Sequence, residues 1–270
     1  MSIKNIAALV SVGRHPVSGE ARHCRNDSLA MTLGLALTSH LNATETNTVS
    51  FKVLHAGNAN NTALKDYLAL GASHIDMIDV AAESLIIDAL AANLTNTDLI
   101  LTGSRAENGL DSGMLPYQLA EKLGFSLVAN ALAIQQTTDG LTGGLEVLQF
   151  LPKGKRRSVT VQLPAVIVVH PLAPVELRHA YARQVTGTIN QQASPLTHAT
   201  PQEKTLKWQT ETILRKPIKL KARENKSGHA RMLSATVSEN KGGAVVIEGN
   251  SVEKAQVILG YLREHRLINF

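Results

Sequence analysis

The sequence predicts an α/β fold built on a doubly wound, mostly parallel sheet, followed by an antiparallel β-ribbon and an extended C-terminal arm. Three observations predict it. Over the first two-thirds of the 270 residues, short apolar runs alternate with helical stretches, the pattern of a parallel sheet covered on both faces. After Gly124 the pattern changes to alternating, half-buried runs separated by turn dipeptides. From about residue 187 to 240 apolar periodicity is lost, and Gln, Thr, Ser, Lys and Pro accumulate. The expected organisation is one α/β domain over residues 1–186 and an arm over residues 187–270 that ends in a helix.

The elements follow in order. Ile6–Val12 is the first strand, too short and too weakly preceded by charge for a secretion signal. Asp27–Leu41 is helical, with Asn26 or Asp27 available as its cap. Val49–His55 is a strand, followed by Ala56-Gly57-Asn58 and a helix through Ala69 that Gly71 terminates. Ile75–Val80 is a strand, Ser84–Leu94 a helix, and Asp98–Thr102 a strand running into Gly103. The turn GSRAENGLDSG over 103–113 leads into a helix, Met114–Leu123. Val128–Gln136, Leu145–Phe150 and Ser158–Leu163 read as ribbon strands, with turns at Asp139-Gly140 and Lys153-Gly154. Ala165–Val169 is fully apolar and β-branched, a buried strand returning to the main sheet. Gly242–Glu248 is strand-like, and Val252–His265 is a final amphipathic helix.

In such a sheet, ligands sit at the carboxyl ends of the strands, where the next helices point free backbone N–H groups. The segments in that position are Val10 and Ser11 with the residues through Arg14; Asn26, Asp27 and Ser28; His55, Ala56, Gly57 and Asn58; and the loop Gly103–Met114. Within that loop Gly103, Gly109 and Gly113 permit backbone conformations closed to other residues. Asp111 and Ser112 are natural caps for the helix that follows, and Arg105 and Asn108 add polar groups. A helix start with open N–H donors suits a phosphate, and an ordinary capped βα loop has the same appearance.

Other chemistries are weakly supported. No GxGxxG follows the first strand, and Gly154-Lys155 lacks the glycine spacing of a P-loop. The histidines, among them His15, His23, His170 and His179, show neither the spacing of a metal site nor a clear carboxylate partner. Cys24 is the only cysteine, which excludes an internal disulfide, and it has no identifiable activating base. Ser11 and Ser112 lack the companions that acyl chemistry needs. The pattern offers a ligand site, no metal site and no catalytic constellation.

The net charge of +5 is concentrated at Lys153–Arg157 and Arg215–Arg231, but aromatic residues make up only 3% of the chain, so few platforms exist for stacking bases. Nucleic acid is therefore not an expected partner. No stretch approaches the roughly 18 apolar residues of a bilayer span, and a cytoplasmic location is expected.

Taken in order, these segments resemble the β (small) subunit of electron-transfer flavoproteins along nearly the whole chain. Asp111, Ser112, Gly113, Leu115, Gln118, Leu119, Ala120, Glu121, Leu123 and Gly124 follow the family's loop-and-helix pattern. YLALGASH (67–74), LPAVIVV (163–169) and the tail from Gly242 resemble its later segments. The resemblance implies an adenine-nucleotide-hydrolase-like, Rossmann-like fold that holds AMP, or a second FAD, in the cleft described above. By position it assigns contacts to Ser11, Asp27, Ala56 and Gly103 to Met114. It also implies an α-subunit partner whose FAD this chain helps enclose near Arg14–Ser18, with a flavin dehydrogenase and a quinone oxidoreductase as transient redox partners. The arm from about Gly187 would wrap the α subunit. Such a subunit carries electrons and is not itself an enzyme. Residues 170–184 depart from the family in being shorter and in lacking a clear anchor leucine for dehydrogenases. The alternative is a stand-alone adenine-nucleotide-binding protein of the same superfold.

Overall fold

A computed structural model describes residues 3–15, 18–44, 48–57, 61–80, 86–107, 112–136, 144–192, 227–229, 232, 248–264 and 267–268. The chain divides into two compact units, residues 1–209 and 210–270.

The first unit is built on β1 (Asn5–Leu9), the hairpin β2 (Val12–Arg14) and β3 (Ala21–His23), α1 (Arg25–Thr44), β4 (Ser50–Gly57), α2 (Leu64–Ala69), β5 (His74–Asp79), α3 (Ile86–Leu94) and β6 (Leu99–Gly103). It continues with α4 (Leu115–Leu123), β7 (Ser126–Gln136), β8 (Leu145–Phe150), β9 (Arg156–Val161), β10 (Ala165–Val169), α5 (Tyr181–Thr186) and β11 (Thr188–Gln192). One nine-stranded sheet has the order β11-β5-β4-β1-β6-β10-β7-β8-β9, with β2 and β3 forming a separate antiparallel pair. Every pairing from β11 to β7 is parallel, and β8 and β9 add on antiparallel. From β1 the chain steps outward to β4 and β5, then crosses back to β6 on the other side. The switch point of the winding therefore lies between β1 and β6, and the crevice outside their carboxyl ends is where a ligand would enter.

Side-chain alternation sorts the core onto both faces of the sheet. Ile6, Leu99, Leu101, Ala165 and Ile167 pack on the α1 side with Leu29, Ala30, Leu37 and Leu41. Met31, Val53, Tyr67 and Ile75 extend that layer toward α2. Ala7, Leu9, Ile100 and Val166 face the other way, against α3 and α4. Both faces of these strands are therefore covered, which accounts for their continuous apolar runs.

Three local features differ from the sequence expectation. The first strand does not continue to Val12: it ends at Leu9, and Val12 opens the β2–β3 hairpin. The physical cause is that the Ser11 N–H is taken by the Asp27 side chain and is lost to the ladder. α1 begins at Arg25, ahead of Asn26 and Asp27, so neither caps it. Asp27 lies within the first turn with its carboxylate directed elsewhere. β7 belongs to the ribbon and to the main sheet alike, since it pairs parallel with β10 as well as antiparallel with β8. Beyond Ala131, the partner of Val169, β7 runs on to Gln136, so the ribbon rises past the carboxyl edge of the parallel strands. The turn proposed at Asp139-Gly140 lies outside the described residues.

Past residue 186 the main chain is still in the sheet: Thr188–Gln192 pairs in parallel with β5 although Ile189 is its only apolar residue. In the second unit the described helix is α6 (Ser251–Glu264). Asn250 caps it: the Glu253 N–H donates to Asn250 Oδ1 at 2.9 Å, and the Asn250 N–H donates back to Glu253 Oε2 at 3.2 Å. The strand-like segment Gly242–Glu248 lies outside the described residues up to its last residue, as does most of the basic stretch Arg215–Arg231.

Leu101, fully buried between β1, β10 and α1, is a test of this packing. Leu101→Ala should lower the unfolding free energy by about 2–5 kcal/mol, read as a shifted midpoint in urea denaturation with an unchanged slope.

Candidate functional site

The crevice at the switch point is organised by one carboxylate. Asp27 reaches out of the first turn of α1, and its Oδ2 accepts from both the N–H (2.9 Å) and the hydroxyl of Ser11. Its Oδ1 accepts from the Gly103 N–H at 3.2 Å. The ends of β1 and β6 are thereby joined to the start of α1. Asp27 is only 6% exposed, and burial pushes its carboxyl up to about 6 against the opposing pull of these hydrogen bonds.

Gly103 has to be glycine for this contact. A Cβ there would lie 2.3 Å from Asp27 Oδ1 and 2.7 Å from the Asn26 carbonyl carbon.

A second tie comes from α2. The buried Tyr67 hydroxyl donates to the Ser11 carbonyl at 2.6 Å and accepts from the Cys24 N–H at 2.9 Å. Burial raises its ionisation well above the usual phenol value, so it stays a neutral donor. Cys24 is fully buried beside it, and burial, with the Asp27 charge as the next cause, pushes its thiol up to about 12. That is an inert thiol. His55, near the end of β4, donates from Nδ1 to the Val10 carbonyl at 2.8 Å, and burial lowers its pKa, which keeps the ring neutral.

The loop after β6 folds over this floor. The Arg105 carbonyl accepts from Asn26 Nδ2 at 3.5 Å, and Glu107 pairs with Arg22 of β3 at 2.7 Å. Gly113, at φ 66, brings the loop back against the Ser104 carbonyl, and α4 then starts from Met114. Ser112 Oγ accepts from the Met114 N–H at 3.3 Å, so Ser112 supports the N-cap residue and is not the cap itself. Pro116 supplies no N–H, so the first-turn backbone donors of α4 after Met114 are those of Leu115 and Tyr117.

The structure therefore brings Val10, Ser11, Asn26, Asp27, Gly103 and Arg105 together, with Ser112, Gly113 and Met114 closing the loop. Ala56 and Gly57 end β4 on the neighbouring strand. Ser28 is fully buried, and both its N–H and its hydroxyl donate to the Cys24 carbonyl, so its polar groups are used within the helix. Asn108 and Asp111 lie outside the described residues, as do Asn58, Gly109 and part of the Arg14–Ser18 stretch.

Sequence reasoning did not single out Tyr67, nor Thr102. The Thr102 hydroxyl is buried one residue before Gly103 and has no hydrogen-bond partner among the described residues. A polar residue at the end of an otherwise apolar strand was the available signal. The histidines also differ from expectation in one respect: His23 does have a carboxylate partner, Asp66, at 3.2 Å, and its ring lies 5.6 Å from that of His179.

The Asp27 clasp carries a pH signature. The folded carboxyl titrates at about 6 and the free one at 3.8. Between those values the folded chain holds a proton that the unfolded chain has released, so stability falls as pH rises through this window, by about 3 kcal/mol in total, and is flat above it. The advantage of wild type over Asp27→Asn, measured by urea unfolding from pH 4 to 7, should shrink accordingly. A constant difference would contradict the burial-raised carboxyl.

The family model described as the electron transfer flavoprotein domain matches residues 28–195. The "Electron transfer flavoprotein subunit beta" of Chromohalobacter salexigens is 32% identical over 269 residues, covering 97% of this chain and 95% of that protein. With the loop-and-helix signature seated at the switch point of a doubly wound sheet, the chain belongs to the electron transfer flavoprotein β-subunit family.

Proposed function

We propose that this chain is the β subunit of a heterodimeric electron carrier and that it holds an adenine nucleotide, AMP or a second FAD, in the β1–β6 crevice. The observation that carries the reading is the clasp of Ser11 and Gly103 on Asp27. It fixes the two strand ends on either side of the switch point and leaves the approach to them lined by backbone. The residues present fit a nucleotide on two counts. Gly103 and Gly113 let the strand end and the loop approach α1 and the Ser104 carbonyl more closely than a Cβ would allow, and Thr102 has a buried hydroxyl with no partner among the described residues.

In this reading the N–H groups of the Gly103–Met114 loop and the first turn of α4 would hold the phosphate. Val10, Ser11, Ala56 and Gly57 would line the adenosine side, and Asn26 and Arg105 would brace the loop. Asp27 and Ser28 would shape the floor without touching ligand. An FAD held mainly by the α subunit supplies the redox chemistry when bound. The contribution of this chain is to cover it, exclude water and orient it, with the segment around Arg14 as part of the cover.

The α subunit would be clasped by the C-terminal arm. α6 has no buried residue and presents Val257, Ile258 and Tyr261 on neighbouring helical positions, a stripe suited to a partner surface. A flavin dehydrogenase would meet the segment after β10, where Tyr181 and Val185 stand exposed at i and i+4 on α5. A quinone oxidoreductase would be the acceptor. A cytoplasmic location fits these partners, and among the described residues no helix is long and apolar enough to cross a membrane.

Co-expression with an α subunit of the same family is the direct test. The expected product is a yellow heterodimer with about one flavin bound in the α subunit, from which denaturation releases AMP or a further FAD. A colourless monomer that releases no adenylate would overturn the proposal. A monomer that nevertheless binds AMP would point to the stand-alone nucleotide binder.

A further inference from the structure

The α4 face of the crevice carries a polar group on β10 for which the site described so far has no use. His170 follows directly on β10, whose residue Val169 pairs with Gly103. Its imidazole stacks on Phe150 of β8 with ring centroids 4.1 Å apart and planes 12° from parallel, and the Arg156 guanidinium lies over the same phenyl ring at 4.6 Å. This packing fixes the plane of the imidazole.

Its proton is fixed as well. The Leu172 N–H donates to Nδ1 at 3.1 Å, so Nδ1 must keep its lone pair, and the neutral ring carries hydrogen on Nε2. Burial and the Arg156 charge both lower the His170 pKa and favour that neutral form. Nε2–H has no protein acceptor among the described residues.

Strand alternation places His170 on the same face of the sheet as the other unmet group. Leu99 and Leu101 of β6, like Ile167 and Val169 of β10, pack on the α1 side, so Thr102, Val168 and His170 belong to the opposite face. Thr102 pairs with Val168, and its buried hydroxyl has no partner; His170 lies two residues farther toward the carboxyl edge on that face. α4 covers this face and begins at this end of the sheet, and the β7–β8 ribbon rises past the edge beside it. Thr102 and His170 therefore share the α4 face of the sheet at its carboxyl end, where α4 begins.

We infer that His170 is a ligand-binding residue that donates its Nε2–H to a phosphate oxygen of the bound adenine nucleotide. The inference rests on the adenylate reading above and adds to it a side-chain donor from β10. A neutral, oriented N–H selects a phosphate by hydrogen bonding and leaves the charge to be met by the helix start and the backbone.

Calorimetric titration of the full-length chain, freed of endogenous nucleotide, tests this with AMP, FAD and adenosine as probes. His170→Phe preserves an aromatic ring for the stack but removes the donor. It should weaken the phosphorylated ligands about tenfold while leaving adenosine unchanged, and His170→Gln, which keeps an N–H, should recover most of the loss. A loss with AMP assigns the contact to its single phosphate, and a loss confined to FAD assigns it to the flavin-side phosphate; either supports the inference. Unchanged binding of AMP and FAD by His170→Phe, or an equal loss for adenosine, overturns it while leaving the adenylate reading intact. Failure of wild type to bind any of the three removes both. Independently, long-range proton–nitrogen spectra of the wild-type chain should show His170 protonated at Nε2, with that nitrogen shifting on addition of the phosphorylated ligand and not of adenosine. An Nδ1-protonated ring would overturn the assignment.

Discussion

The arrangement at the switch point depends on one buried carboxylate that three chain segments share. Ser11 just past β1 and Gly103 at the end of β6 would otherwise present two backbone N–H groups and a hydroxyl to a largely dry interior. Each unpaired group of that kind costs on the order of 1–3 kcal/mol. Asp27 satisfies them together, and in doing so it sets the spacing of the two strands between which the winding reverses. The cost is a carboxylate buried, among the described residues, without a cation beside it, visible as its upward shift to about 6. A fold that bears this cost at the mouth of its crevice gains a rigid floor there.

The surrounding groups reinforce the same geometry from other elements. Tyr67 brings α2 into the cluster through Ser11 and Cys24, and His55 joins β4 to the end of β1 through Val10. The shifts of these groups all favour neutrality: the Cys24 thiol and Tyr67 phenol are pushed up and the His55 imidazole down, each chiefly by burial. Such groups orient backbone and resist ionisation, and they are poor acids, bases and nucleophiles near neutral pH. The chemistry here is that of holding, which agrees with the role of an electron-carrier subunit whose reactive group is a cofactor.

What could be read from the sequence follows from which signals are local. The apolar runs of β4, β6 and β10 and the glycine-ended helices announce themselves through composition and spacing, and the Gly103–Met114 turn marks the crevice because three glycines in eleven residues have few structural uses. Non-local pairing is less visible. β11 is held in the sheet by main-chain bonds to β5, and its sequence TINQQ carries almost no apolar signal. β2 and β3 are three residues each, too short for alternation to register. Asp27 sits where a capping residue would be expected, and nothing nearby in sequence says that its partners are residues 11 and 103. The same limit hid Tyr67, Thr102 and His170, whose meaning depends on the neighbouring strands or helices.

A floor made of backbone and neutral side chains also leaves the loop above it free to vary in side-chain identity. Where a phosphate is held by helix-start N–H groups, the side chain of a residue such as Met114 matters less than the φ of Gly113 and the close approach at Gly103, because those determine where the N–H vectors point. Side chains can then drift so long as the glycines and the clasp persist. Drift also leaves room for new donors. Thr102 and His170 stand on the β6–β10 side, outside the clasp, and could change without disturbing it. Ligand preference within this fold would then be set from that side, on residues outside the clasp, while Asp27 keeps the crevice itself constant.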